Sequence, residues 1–181
     1  MKKQFAHHLK SRNLVSIRRE RIDDNQIQAF ILAASRKLVA LQYVADFQLD
    51  GLMVLRVADI SEMRRTRTDE FQQGLLAEEG VLKKVPFGKQ FDLDNWGSVL
   101  RQFAAKYPLM ILECEAQEEK LFAIGRVAEA GVRDVSFECF SGTGKWSEEP
   151  ASYRYSDLAS CQVDNAYINA YRRHFERVGQ S

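Results

Sequence analysis

The order of features in this chain repeats. Residues 14–66 and 109–163 share one plan, which is an apolar-alternating run, a polar break, two further apolar runs, a Gly-bearing turn, a fourth run and an Asp–apolar pair. That pair is Asp59-Ile60 in the first copy and Asp157-Leu158 in the second, and a helical pattern follows each copy. A unit used twice constrains the architecture strongly, because both copies must form the same kind of substructure. We therefore predict two similar modules related by ancestry.

The first copy predicts five short strands, because its apolar residues recur at the two-residue period of a strand. The predicted strands are 14–22, 27–33, 38–47, 52–57 and 62–65. Asp50-Gly51, between the third and fourth runs, predicts a hairpin turn at that point.

The second copy predicts the same number of strands from the same pattern. These strands are 109–116, 121–128, 132–140, 151–155 and 160–163. The polar break between the first two covers residues 117–120, and residues 141–146 read as a loose loop. Five strands in about 50 residues predict a small curved β-barrel for each copy.

Helical patterns lie outside the two copies. The first helix is predicted to begin at Thr68, a residue type that caps helices, and to end at Gly80. The second begins at Asp92 or Asp94, and the third follows Asp164. Aromatic residues at helical spacing on the last two helices predict buried faces. They are Trp96, Phe103 and Tyr107 on the second helix, and Tyr167, Tyr171 and Phe175 on the third.

Several segments resemble a known family. They are Ile124-Gly125-Arg126-Val127, residues 153–158 and 167–171, and, in the first copy, residues 50–60. The chain resembles tandem Sm-like (SH3-like) small β-barrel proteins of an uncharacterised bacterial group and, through fewer features, WYL-type barrels. The resemblance implies a mainly β chain with helices (α+β), with two Sm-like five-stranded barrels plus connecting and C-terminal helices. Loops 34–37 and 129–132 lack the Asp and Asn with which Sm proteins bind RNA.

This architecture predicts three segments. Residues 1–80 form the first barrel and its helix, residues 81–108 are a linker and connecting helix, and residues 109–181 form the second barrel and the C-terminal helix. A unit of this size buries little surface alone, so we expect the two modules to pack together.

The composition limits the classes of protein to which this chain can belong. Hydrophobic residues make up 45% of the chain and charged residues 28%, which is typical of a globular protein. No apolar run is long enough for a membrane helix, and the basic N-terminus lacks the apolar core of a secretory signal. The three cysteines show no paired spacing, which predicts thiols in a reducing cytoplasm.

The net charge of +1 hides an asymmetry between the two ends of the chain. Residues 1–66 carry twelve Lys and Arg against seven Asp and Glu, a balance of +5, whereas residues 109–181 carry eight against twelve, a balance of −4. Opposite charge suggests that the modules face each other or face different partners. Drift of two solvated surfaces after duplication explains the same numbers.

No catalytic frame is recognisable. Gly142-Thr143-Gly144-Lys145 lacks the earlier Gly, the following Ser or Thr and the following helix of a phosphate-binding loop. The histidines His7, His8 and His174 show no metal-ligand spacing. The sequence therefore predicts a protein that is not an enzyme and has no metal or other cofactor.

Basic residues on the first module form the best candidate binding site. Arg19 and Arg21 share one face of the first predicted strand, and Arg64 and Arg65 follow from the fifth, which can neighbour the first in a small barrel. Such a patch could contact phosphates, although nearby carboxylates could also make it a neutral solvated face. We therefore expect a protein-binding or scaffolding module whose partner is an unknown protein or a further copy of itself, as a homo-oligomer. The alternative is nucleic-acid or anion binding through this patch.

Overall fold

The computed structural model describes residues 1–114 and 121–179. Within them the chain is mainly β, with ten strands and four α-helices. It divides into two units, Met1–Leu93 and Asp94–Ser181. The predicted linker region is thereby divided, since residues 81–93 belong to the first unit and residues 94–108 to the second.

The first unit places one helix before and one helix after five strands. In chain order these are α1 Lys2–Ser11, β1 Leu14–Arg19, β2 Asp23–Ala34, β3 Leu38–Ala45, β4 Gln48–Arg56, β5 Glu62–Arg64 and α2 Arg67–Glu78. Neighbouring strands are antiparallel in the order β5-β1-β2-β3-β4. Phe5 of α1 packs with Val15, Ile17 and Leu41 of the strands in one buried cluster.

The second unit has the same sequence of elements. They are α3 Trp96–Ala104, β6 Met110–Cys114, β7 Leu121–Ala130, β8 Asp134–Cys139, β9 Ala151–Arg154, β10 Leu158–Val163 and α4 Ala166–Val178. The antiparallel order is β10-β6-β7-β8-β9, so in both units the fifth strand lies beside the first. This shared order supports the internal repeat, whose common ancestry remains a prediction.

Closed barrels are not found. In each unit the described strands form an open antiparallel ladder, and none of the described pairings joins the fourth strand of a unit to its own fifth. The prediction of mainly β structure with helices is confirmed, whereas the finer prediction of two five-stranded barrels is not. Strand periodicity reports which residues alternate between two faces, but it carries no information on closure.

The predicted hairpin turn at Asp50-Gly51 is wrong. The chain reverses at Asp46 and Phe47, which both have positive φ, and Gly51 lies inside β4 with φ of 78°. The β3–β4 register shifts there, so residues 49–52 lie opposite residues 42–44. The conformational freedom of glycine therefore serves a β-bulge, and the buried side chain of Gln42 donates to the Gly51 carbonyl at 2.8 Å.

The predicted helix starts are shifted by a few residues. Thr66, not Thr68, caps α2, and Asn95 and Asn165 cap α3 and α4 through their side-chain oxygens. Helix α1 was missed altogether, because its short basic sequence has little apolar periodicity beyond Phe5 and His8. It is held in place by Phe5, which packs in the buried cluster of the strands, and by the burial of His8.

The predicted loose loop at residues 141–146 is ordered. The Ser141 amide donates to the Lys145 carbonyl at 2.9 Å, and the Gly144 amide donates to the Ser141 carbonyl at 2.8 Å. The loop places the Trp146 ring 5.1 Å from Phe140 and 5.2 Å from Phe175. The predicted polar break at 117–120 lies outside the described residues.

Candidate functional site

Arg19 does not reach the surface with the other predicted basic residues. It follows Val15 and Ile17 on the core-facing side of β1, and its side chain is only 6% exposed. Its guanidinium group donates to Asp23 at 2.6 Å across the turn into β2. A buried and paired arginine is a structural element, so Arg19 is poorly placed to bind an outside phosphate.

Arg21, Arg64 and Arg65 lie in three different settings. Arg21 is exposed in the turn after β1, and Arg64 is exposed on β5, with its Nη1 3.6 Å from Glu62. Arg65 donates to the side chain of Asn13 and lies 3.5 Å from Glu70. The structure confirms that β5 lies beside β1, where Ser16 opposes Arg64, but Glu62 of β5 lies 3.9 Å from Arg18 and 3.6 Å from Arg64 and balances part of their charge.

A buried histidine lies near the end of α1, close to two other basic side chains. His8 is buried, and its Nδ1 lies 3.2 Å from the side-chain nitrogen Nδ2 of Asn13. The centres of the His7 and His8 rings are 5.0 Å apart. Burial lowers the pKa of the His8 imidazole below its ordinary value of 6.5, and the nearby His7 and Arg65 lower this pKa further. The folded protein therefore favours the neutral ring.

We expect acid to weaken the first unit through His8. Because the pKa of His8 is lower in the folded chain than in the unfolded chain, its contribution to stability is present above pH 6.5 and is lost as the pH falls through the folded value. The free energy of unfolding should decrease from pH 7 to pH 5, and less steeply in His8→Gln. A titration midpoint of the His8 ring at or above 6.5 by NMR would contradict this.

The three cysteines, all described, form no disulfide. Burial raises the pKa of the Cys161 thiol, and the nearby Glu113 raises it further. Burial also raises the pKa of Tyr153, whose hydroxyl lies 3.4 Å from the sulfur of Cys139. A thiol whose pKa is raised is a poor nucleophile, which agrees with Cys161 acting as a small apolar residue.

β5 and β9 each lie at an end of the ladder of their unit. β5 pairs with β1, β9 pairs with β8, and no second strand partner of either is found among the described residues. The Tyr155 amide donates to the Arg133 carbonyl at 2.9 Å, and Tyr153 opposes Val135. Because backbone groups alternate along an antiparallel strand, the N–H groups of Ser152 and Arg154 face away from β8.

The charges near these two edges differ in balance. Arg64 is exposed on β5 and Arg67 is exposed just beyond it, whereas Glu62 of β5 is half-buried. Glu148 and Glu149 are exposed immediately before Pro150 and β9, and Arg154 is exposed on β9 itself. Sequence reasoning missed the β9 edge, although a four-residue strand preceded by a proline and two carboxylates is the usual signature of an edge strand.

Within the described parts of the chain, no group of three or more His, Cys, Asp and Glu side chains is arranged to hold a metal ion. None of the helices described is both long enough and apolar enough to cross a membrane. Comparison with models of protein families, with curated proteins and with solved structures finds no match to this chain.

Proposed function

We propose that this protein is a non-enzymatic, cytoplasmic protein-binding module that associates with copies of itself from head to tail. In this association β5 of one copy adds to β9 of the next. The observation that carries the proposal is the pair of one-sided strands at the ends of the two ladders. The cytoplasmic assignment is supported by three thiols that form no disulfide.

Backbone groups supply the attraction at such an edge. A strand with a free side presents N–H and C=O groups that a second strand can bond, and this is a common mode of protein recognition. The outward N–H groups of Ser152 and Arg154 provide two donors on β9. The Sm-like resemblance is consistent with such edge pairing but contributes only at the level of fold.

The charge balance favours one pairing of the edges. Arg64 and Arg67 outnumber Glu62 at the β5 edge, and Glu148 and Glu149 outnumber Arg154 at the β9 edge, so two copies of the same edge bring like net charges together. Pairing β5 with β9 instead brings opposite charges together, in line with the +5 and −4 balances of the two ends of the chain. A contact between two different surfaces is heterologous, so it produces a ring or an open filament.

A charge-reversal series tests this arrangement. We expect wild-type protein to form concentration-dependent oligomers in sedimentation velocity at low salt, and Arg64→Glu to weaken their association at least tenfold. Glu148→Lys with Glu149→Lys should weaken association by a similar factor, because like charges then meet at the same edge. A mixture of the two variant proteins should recover association through the restored opposite pair.

The control is Arg36→Glu, since Arg36 is exposed in the turn between β2 and β3 and lies on neither edge. This variant should associate like the wild type. A monomer at all concentrations, or equal weakening by Arg36→Glu and Arg64→Glu, would refute the arrangement. Ser152→Pro removes one outward N–H of β9 and should abolish association, whereas Ser152→Thr should preserve it.

A further inference from the structure

The second unit contains a small pocket with an apolar floor. The floor is formed by Pro108 and Leu109 before β6, by the Trp146 ring and by Phe175 of α4. Leu109 and Phe175 are buried, and the Trp146 and Phe175 rings lie 5.2 Å apart. The cavity measures about 80 Å³. Since a cavity of about 150 Å³ holds benzene, this one has room for a branched aliphatic group but not for an indole.

Two arginines line the same pocket. Arg126 stacks over Trp146 with its guanidinium carbon 4.8 Å from the ring centre, and its Nε donates to Glu138 at 2.6 Å. The hydrogen bond to Glu138 fixes the orientation of the Arg126 guanidinium group and uses only its Nε donor. Arg172 of α4 also lines the pocket, and the side chains of both arginines are nearly half exposed.

The carboxylate of Glu176 is the anionic group that lines the pocket, and it holds Arg172 only weakly. The distance from Arg172 Nη1 to Glu176 Oε1 is 3.8 Å, which is too long for a hydrogen bond. Arg126 uses only its Nε toward Glu138, and Arg172 makes no hydrogen bond to Glu176. Both guanidinium groups therefore keep planar donors that suit a further carboxylate.

We propose that this pocket binds a carboxylate that carries a branched aliphatic group, with the aliphatic part against Trp146 and Phe175 and the carboxylate between Arg126 and Arg172. Such a group occurs in free branched-chain acids and at the C-terminus of a protein that ends in leucine. A second cavity of about 240 Å³ adjoins the pocket, shares Leu109 and Arg172 with it and continues to Asn169. It has room for the preceding residues of a peptide.

Four probes separate these sources from each other and from apolar binding alone. They are 4-methylpentanoate, its amide, the peptide Gly-Ser-Gly-Ser-Leu with a free C-terminus, and the same peptide amidated. Binding is followed by NMR on the indole N–H of Trp146, which is distinguished from that of Trp96, the second of the two tryptophans, by Trp146→Phe. We expect both acids to bind at least tenfold more tightly than their amides.

A peptide that binds more tightly than the free acid identifies a protein terminus as the ligand, and equal affinities identify a small acid. Either result supports the pocket. Arg172→Met should weaken binding of the acid at least tenfold, whereas Arg173→Met, at the next and exposed position of α4, should not. Glu176→Gln should strengthen binding severalfold, because it removes the competing carboxylate.

Equal binding of acids and amides, equal effects of Arg172→Met and Arg173→Met, or no response of Trp146 to millimolar probe would overturn the proposal. These outcomes do not depend on self-association, since the pocket and its reporter lie within the second unit. The charge-reversal series and the probe series can therefore fail independently.

Discussion

Gly125→Ala is expected to destabilise the second unit by more than about 3 kcal/mol, because the new methyl group has no space. A Cβ at this position would lie 1.8 Å from the Glu138 carbonyl oxygen and 2.8 Å from the carbon of that carbonyl. Both are backbone atoms of β8, which crosses close to β7 where Gly125 opposes Cys139. A side chain could rotate away, but the backbone can move only by breaking the ladder.

Chemical denaturation followed by tryptophan fluorescence measures this effect, because Trp96 and Trp146 both lie in the second unit. The matched control is Gly142→Ala in the same unit, where the added methyl group meets no atom within 4 Å and φ is not positive. We expect that variant to remain within about 0.5 kcal/mol of the wild type. A Gly125→Ala protein as stable as the control would show that β7 and β8 are not held at this separation.

Asp69→Ala is expected to cost the first unit about 3 kcal/mol of unfolding free energy. The Asp69 side chain is fully buried at the start of α2. Its Oδ1 accepts from Ser16 at 2.7 Å and from Gln28 at 3.1 Å, and its Oδ2 accepts from the backbone and hydroxyl of Thr66 at 2.7 and 2.8 Å. Truncation would remove the acceptor of the buried Ser16 hydroxyl and of the half-buried Gln28 and Thr66 donors.

This carboxylate does more than cap a helix, because it also fastens α2 to β1 and β2. Asp69→Asn keeps the shape but turns one acceptor into a donor, so an intermediate loss of about 2 kcal/mol is expected. Glu70→Ala is the control, because the Glu70 side chain is 60% exposed and loses only a 3.5 Å ion pair with Arg65, without a hydrogen bond. Circular dichroism during denaturation measures all three variants. Equal losses for Asp69→Ala and Glu70→Ala would contradict the buried network.

The sequence predicted the position of nearly every strand, but it misplaced the turn between β3 and β4. Asp50-Gly51 is the most favourable local turn signal between β3 and β4, yet Asp46-Phe47 makes the turn. The register of β3 against β4 determines where the turn lies, because a shift by one residue would turn the buried side chains of both strands to the wrong face. That preference depends on the packed sheet and outweighs the local preference for glycine.

The candidate sites were less predictable than the strands. Alternation along β1 places Arg19 on the same face as Val15 and Ile17, but it does not show that a charged side chain on this face is buried. The ion pair with Asp23, which the fold supplies, makes that burial tolerable. The pocket beside Trp146 combines residues from the segment before β6, β7, a loop and α4 that are up to 68 positions apart, so no local motif marks it.

The repeated order of apolar runs, polar breaks and helices could be predicted from the sequence alone, because alternation and helical spacing are local properties of each segment. Which strands have a free side, how near two backbones pass at Gly125 and which arginines meet Trp146 were decided only by the packed units. These features arise from segments distant along the chain, and the free energy that selects them comes from burial and hydrogen bonding that exist only after those segments have met.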